Sequence, residues 1–322
     1  MAKIIGIGNA LVDIIVNLQN DGLLQQFSLK KGGMEMIDGQ QKRFIHEAIE
    51  DLPQILATGG STSNTIHGLA RLGIEAGYVG KVCDDKYGKF FCDEMRRYNV
   101  VPHLMKSDID TGVATTFMSP DAERTFATYL GAAATMSAEE IDSEVFKDYD
   151  YLYIEGYLIY NHELVMRLCQ IAKQQGMKVA MDFGSFNMVT DHLDFVKKIL
   201  KDHVDIIFAN EEEAKAFTGT EKQAALDILA EYCEISVVKL GKHGSMIKVN
   251  GETTMIEPYE AKRIDTNGAG DIYASGFLYG LVKGYDIARC GYIATRLSAA
   301  IIETIGAKLT DHQWEKLLPE VL

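Results

Sequence analysis

Asp265-Thr266-Asn267-Gly268-Ala269-Gly270-Asp271 is the stretch whose residue types are best suited to chemistry. Its small residues let the backbone N–H groups of Gly268, Ala269 and Gly270 close in on an anion. The apolar run Ile272 to Val282 that follows reads as a helix, whose positive end assists. Such a nest suits a phosphoryl group whose charge must be held while it moves. Asp271, in the first helical turn, is placed to take a proton from an attacking hydroxyl. The ordinary alternative is a glycine turn with Asp271 as a helix cap; aspartates on both sides of the small residues favour the chemical one.

Three other stretches can act on a ligand. Gly59-Gly60-Ser61-Thr62-Ser63-Asn64 precedes a helix-like Thr65 to Leu72; its glycines permit close approach, and Asn64 offers a donor and an acceptor to hydroxyls. A capped helix start is the plainer reading. Asn210-Glu211-Glu212-Glu213 ends a strand-like run, where open α/β sheets bind ligands. There Glu213 could orient water around Mg²⁺ and Asn210 could reach a phosphate, although acidic first turns are common in any helix. Lys239-Leu240-Gly241-Lys242-His243-Gly244 is a strand end with a tight turn that could cradle a nucleotide, or an ordinary hairpin into Ser245 to Asn250. Other matches fail. Gly6-Ile7-Gly8-Asn9-Ala10-Leu11 lacks the third glycine of a dinucleotide fingerprint, which argues against a nicotinamide-dependent dehydrogenase. No Gly-x-x-x-x-Gly-Lys-Ser/Thr loop occurs, and His46-Glu47 and His162-Glu163 lack the second histidine of a zinc protease.

These residues need a scaffold, and the pattern supplies one. Apolar runs at Lys3 to Gly8, Tyr151 to Ile154, Lys178 to Asp182, Asp205 to Asn210 and Ile235 to Leu240 read as buried strands. Helical segments lie between them. In His162 to Gln175, Leu164, Leu168 and Ile171 recur at helical spacing, and Gly176 is a stop signal. Alternation of this kind predicts an α/β fold with a mostly parallel sheet covered on both faces. Val12 to Ile37, and Gly112 to Ser119 with Arg124 to Leu130 around a Pro120-Asp121 turn, break the pattern with β-rich pieces. They read as a small separate sheet, a lid over a site or a dimer contact.

With 322 residues, five prolines and no repeat or linker, one domain spanning 1–322 is expected, its lid formed by about 12–37 and 105–130. The net charge of -14 disfavours nucleic acid. Cys83, Cys92, Cys169, Cys233 and Cys290 are scattered and odd in number, which argues against disulfides or zinc. No run is apolar enough for a membrane span, and Asn9 and Asp13 interrupt the apolar N-terminus before it could act as a signal peptide. A cytoplasmic location is the expectation.

In order and separation, Gly59-Gly60…Asn64, Asn210…Glu213 and Asp265-Thr266-Asn267-Gly268-Ala269-Gly270-Asp271 resemble the ribokinase-like (PfkB) kinases, over essentially the whole chain. Within the family the likeness is nearest to adenosine kinases, through Gly6-Ile7-Gly8-Asn9-Ala10-Leu11-Val12-Asp13-Ile14, Gly59-Gly60-Ser61-Thr62 and Asn267. The resemblance implies a Rossmann-like three-layer core with a β-sheet lid, ATP and Mg²⁺, and phosphorylation of a nucleoside or sugar. Asp271 matches the catalytic base, and Asn267, Gly268, Ala269 and Gly270 the anion hole. Asp13, Gly59, Gly60 and Asn64 match residues that hold sugar hydroxyls, with Asn9 nearby. Lys239, Gly241 and Gly244 match the ATP-side turn, Asn210 with Glu213 the Mg²⁺ and phosphate element, and Thr295 falls near adenine. Asp265 lies where some members bind a monovalent cation such as K⁺. A homodimer through the lid is implied as well. Three features depart from this pattern. Glu155, in Tyr153-Ile154-Glu155-Gly156-Tyr157, stands where ribokinases carry a glutamate toward the sugar. Lys239 replaces the usual Thr, which leaves a backbone contact. Arg124 could meet an acidic group from the lid, but reads first as a surface charge. Nucleoside, free-sugar and sugar-phosphate acceptors stay open, as does a binding protein without turnover.

Overall fold

The computed structural model describes residues 2–121 and 123–322. Its larger sheet has nine strands in the order β14-β13-β12-β11-β10-β9-β1-β5-β6. These are β1 (Ile4–Ile7), β5 (Ala76–Cys83), β6 (Val100–Ser107), β9 (Tyr151–Ile154), β10 (Lys178–Asp182), β11 (Ile206–Asn210), β12 (Ile235–Lys239), β13 (Ser245–Val249) and β14 (Glu252–Ile256). From β6 across to β12 every neighbouring pair is parallel. The β12–β13–β14 meander is antiparallel. Alternate side chains of each strand enter opposite cores. Ile4, Tyr153, Ala180, Phe208 and Val237 face one, while Ile5, Leu152, Met181, Ile207 and Val238 face the other. Strands apolar on both faces must be covered by helices on both, and three layers result.

The helices obey local signals. His162–Gln175 begins where the Asn161 side chain accepts the Leu164 N–H and ends at Gly176, with φ 70°. That left-handed residue releases the last turn without a Cβ clash. Ser61–Arg71 starts directly after β4 (Gln54–Gly59), so the small polar residues expected ahead of a helix form its first turn instead. Ala269–Val282 packs against both Ser61–Arg71 and Ile287–Ile301.

The second sheet has the order β3-β8-β7-β2-β4, with β2 (Leu11–Asn17), β3 (Met34–Met36), β7 (Gly112–Met118) and β8 (Arg124–Tyr129). Both β-rich stretches read from the sequence lie in it. The limits differ in detail. Met105–Ser107 finish β6 of the larger sheet, and β4, which pairs along β2 from Leu11↔Gly59 to Val16↔Gln54, carries little strand signal. Among the described residues no helix is long and apolar enough to cross a membrane.

Candidate active site

Asp271 sits in the first turn of Ala269–Val282, behind Gly268, which caps that helix at φ 74°. Its carboxylate reaches the first turn of the other helix: the Ser61 hydroxyl donates to Oδ1 at 2.7 Å and the Asn64 amide to Oδ2 at 2.9 Å. Thr65 and Ser275 hydroxyls donate to the Asp271 carbonyl. Burial pushes this carboxyl up to about 6, against the opposing pull of the Ser61 and Asn64 hydrogen bonds. A base near neutrality, fixed by two donors, retains lone pairs for an incoming hydroxyl.

Two hollows flank this turn. The smaller, of about 130 Å³, lies against the second sheet and is lined by Asp13, Thr58, Arg124, Asn267 and Lys308 with Ile15, Ile55 and Ala57. Asp13 folds over Gly59, where an added Cβ would stand 2.6 Å from the Asp13 Cγ; only glycine leaves that carboxylate its place. Gly60, at φ 90°, turns the chain from β4 into the helix. Burial raises the Asp13 carboxyl to about 6, with Lys308 opposing. Burial also lowers the Lys308 ammonium to about 8, and it donates to the Thr58 hydroxyl. The larger cleft, of about 1150 Å³, is lined by Asn210, Lys239, Gly241, Gly244, Thr266, Ala269, Gly270 and Thr295, with Tyr259 and Lys262 from the loop between β14 and the turn. The turn 266–270 is therefore the wall between the hollows, with Asp271 behind it.

Several expectations change at the level of side chains. Glu155 is 2% exposed. Its Oε1 accepts both the Asn9 backbone N–H (3.2 Å) and the Asn9 amide (2.6 Å), and its Oε2 the Thr62 N–H (3.0 Å). It is thus a bracket holding Asn9 to the helix start. Asn9 is left with a buried Oδ1 that has no partner among the described residues. Arg124, expected as a surface charge, is corrected: its side chain is 12% exposed and pairs with Asp265 across the gap between β8 and the turn. The remaining lone pairs of Asp265 take the Asn267 N–H at 3.1 Å and the Gly306 N–H at 2.8 Å. A guanidinium and two amides thus compete with any monovalent cation for that carboxylate.

Glu213 and Asn210 form a reciprocal cap, Asn210 N–H to Glu213 Oε2 at 2.8 Å and Glu213 N–H to Asn210 Oδ1 at 2.9 Å. Glu213 is 3% exposed, and burial and Asp182 raise it to about 7 while Lys239 opposes. Among the described residues no cluster of three or more metal-ligating side chains exists. Mg²⁺ bound mainly through phosphates and water needs none; the cleft is lined there by Asn210, Glu211 and Glu212, with Glu213 buried behind them. Thr295 has a buried hydroxyl without a partner among the described residues and lines the cleft, which fits a nucleotide. Lys239 offers more than backbone, since its ammonium meets Asp182 at 2.7 Å.

The site thus gathers Asp13, Gly59, Asn64, Asn267, Gly268, Gly270 and Asp271 around one turn, and Asn210, Lys239, Gly241, Gly244 and Thr295 along the cleft. Sequence reading missed Ser61, Asp182 and Lys308. Asp182 ends a strand that it had identified, so the strand-end rule could have found it; Lys308, in a coil after a helix, carries no signal.

A family model described as pfkB family carbohydrate kinase matches residues 55–314. The chain is 30% identical over 314 residues to the 5-dehydro-2-deoxygluconokinase of Shouchella clausii, covering 92% of this chain and 95% of that one. It is 26% identical over 330 residues to the adenosine kinase of Saccharomyces cerevisiae, covering 95% and 96%. The solved adenosine kinase of Sinorhizobium meliloti superposes with a TM-score of 0.87 at 30% identity, over 99% of both chains. The chain belongs to the pfkB family of carbohydrate kinases and is a phosphotransferase with an alcohol group of a sugar or nucleoside as acceptor.

Proposed function

We propose that this kinase transfers the γ-phosphoryl group of ATP to the primary hydroxyl of a ribose-containing nucleoside, with Asp271 as general base. The observation that carries this reading is the place of Asp271: held by Ser61 and Asn64 on one side, and one residue from Gly270, which lines the larger cleft, on the other. The smaller hollow receives the acceptor. Asp13 and the buried Oδ1 atoms of Asn9 and Asn64, which have no partner among the described residues, take sugar hydroxyls, and Asn267 closes the wall. The helix start at Gly268 to Gly270 holds the phosphoryl through backbone N–H groups, the Ala269 N–H exchanging its 3.3 Å bond to the Thr266 carbonyl for the anion. Bound Mg²⁺ would neutralise phosphate charge, held through water near Glu213. The second sheet acts as a lid: β8 brings Arg124 onto Asp265, which shuts water out of the acceptor hollow.

An acidic or phosphorylated sugar is the second reading, and a specific observation favours it. Lys308 and Arg124 both line the acceptor hollow, whose lining includes no aromatic ring to stack on a base. ADP release measured with adenosine, D-ribose, D-gluconate and D-fructose 6-phosphate separates the readings. Turnover of adenosine at least tenfold above the others supports the first, and the reverse order the second. No turnover of any acceptor would overturn both and leave a binding protein.

A further inference from the structure

The Lys239 side chain occupies a position that a turn contributing backbone alone would not need. It leaves the carboxyl end of β12, crosses the end of β11 and meets Asp182 at the carboxyl end of β10, Nζ to Oδ2 2.7 Å. Both side chains are largely buried, 16% and 11% exposed. The ammonium also lies over the anion turn. A Cβ built on Gly270 would stand 3.0 Å from Nζ, so the missing side chain at 270 is the space that the ammonium uses. Lys239 and Gly270 line the same cleft, and Asp271 follows directly in sequence.

The charges around it define the problem that it solves. Burial works against the charge on Lys239, but Asp182 and Glu213 outweigh it and raise the ammonium above its ordinary value. A phosphoryl group arriving at this turn meets the carboxylates of Asp182 and Asp271, both of which repel it. Backbone N–H dipoles offset part of that repulsion; a full positive charge over the same turn offsets far more. Asp182 holds the ammonium in its place at the turn.

We propose that Lys239 is a catalytic residue of the phosphoryl transfer, its ammonium gripping the migrating group over Gly270, and that Asp182 positions it. In the step, the acceptor O–H gives its proton to the Asp271 carboxylate while its oxygen forms the new bond to the γ-phosphorus. The bond from that phosphorus to the β,γ-bridging oxygen breaks, and its electron pair stays on ADP. Lys239 keeps its protons throughout and neutralises charge on the transferred group. This inference rests on the kinase reading above, but it fails separately.

The test uses the full-length protein and its Lys239→Met, Lys239→Arg, Asp182→Asn and Gly270→Ala variants. ADP release is followed with the acceptor the wild type uses best, and melting shifts are followed with Mg·ADP alone and with Mg·ADP plus aluminium fluoride, a mimic of the moving phosphoryl. Lys239→Met is expected to lose about 10²–10³ in kcat with KM for ATP nearly unchanged, and to lose the extra melting shift from aluminium fluoride while keeping that from Mg·ADP. Lys239→Arg should recover part of both. Gly270→Ala, whose new Cβ would stand 3.0 Å from Nζ and crowd the ammonium, should lose kcat with Lys239 intact, and Lys239→Gln, judged by the same limits, stands in for Lys239→Met if that variant does not fold. Asp182→Asn should lower kcat less than Lys239→Met does. A Lys239→Met kcat within about threefold of wild type, against the expected loss, overturns the proposal. So does a raised KM with unchanged kcat, or an aluminium fluoride increment equal to that of the wild type. A wild type that turns over no acceptor refutes the kinase reading, whereas the aluminium fluoride arm still judges Lys239.

Discussion

Replacing Glu155 tests whether the bracket around Asn9 is what holds the acceptor side together. Its carboxylate takes the Asn9 N–H, the Asn9 amide and the Thr62 N–H, at 2% exposure. Glu155→Leu leaves these donors without acceptors inside the protein. Each such donor costs about 1–3 kcal/mol. Relief from burying the carboxylate offsets part of this, so a net loss of about 3–5 kcal/mol is expected. Glu155→Gln isolates the charge. Burial raises this carboxyl from its ordinary 4.5 to about 7, against the hydrogen bonds from Thr62 and Asn9. Its proton is therefore held more tightly in the folded chain. Stability on this account is fully present below pH 4.5 and is lost as pH rises through about 7, by about 3 kcal/mol in all. Asp13, Asp271 and Glu213, also raised, slope the same way, so the quantity to measure is the difference between wild type and Glu155→Gln. Urea unfolding at intervals from pH 4.5 to 8 measures it. Across the series the wild type should lose about 3 kcal/mol more than Glu155→Gln does. Identical pH slopes, or a Glu155→Leu loss below about 1 kcal/mol, would refute the bracket.

Other outcomes follow from the same geometry. Gly59→Ala drives a methyl into the Asp13 carboxylate; acceptor KM should rise about tenfold or more, equivalent to about 1.4 kcal/mol, while KM for ATP holds. Unchanged acceptor kinetics would separate Asp13 from the acceptor. Because the Arg124 guanidinium already balances the Asp265 charge, wild-type turnover should be equal in potassium, sodium and choline chloride, and Arg124→Ala should lower turnover and become cation-sensitive. Strong potassium activation of the wild type would contradict that pairing. Since the Asp271 carboxyl lies at about 6 and must be ionised to accept a proton, kcat/KM should rise with pH through about 6 and level off above it. A limb centred near 4 would place the base elsewhere.

How far the sequence speaks for this molecule depends on the kind of residue. Buried parallel strands announce themselves, since apolar side chains are needed on both faces, and β9 and β10 fall where their apolar runs lie. The helix His162–Gln175 is legible from its spacing and its glycine. β4 is not, because its Gln54–Gly59 burial pattern is exposed along most of its length and its place comes from pairing with β2. In the site, glycines and the aspartates of the anion turn are legible because close backbone approach restricts residue type. Ion pairs between remote segments are not. Arg124 opens β8 and Asp265 lies in the coil ahead of Ala269–Val282, and nothing local tells Arg124 from a solvated arginine. The same holds for Lys239 with Asp182 and for Lys308 beside Asp13. Glu155 is expected on the sugar side from the resemblance alone; its hydrogen bonds to Asn9 and Thr62 depend on residues that only the fold brings to it.

The central claim is that the Asp271 carboxylate deprotonates the acceptor. The rate of ADP formation by Asp271→Asn, measured with saturating ATP and the best acceptor alongside a melting curve, tests it most directly. Asparagine keeps the shape and the Ser61 contact but cannot take a proton. The account predicts a fall of about 10²–10⁴ in a protein that still melts cooperatively and still binds ATP. Turnover within tenfold of wild type, set against that predicted loss, would contradict it.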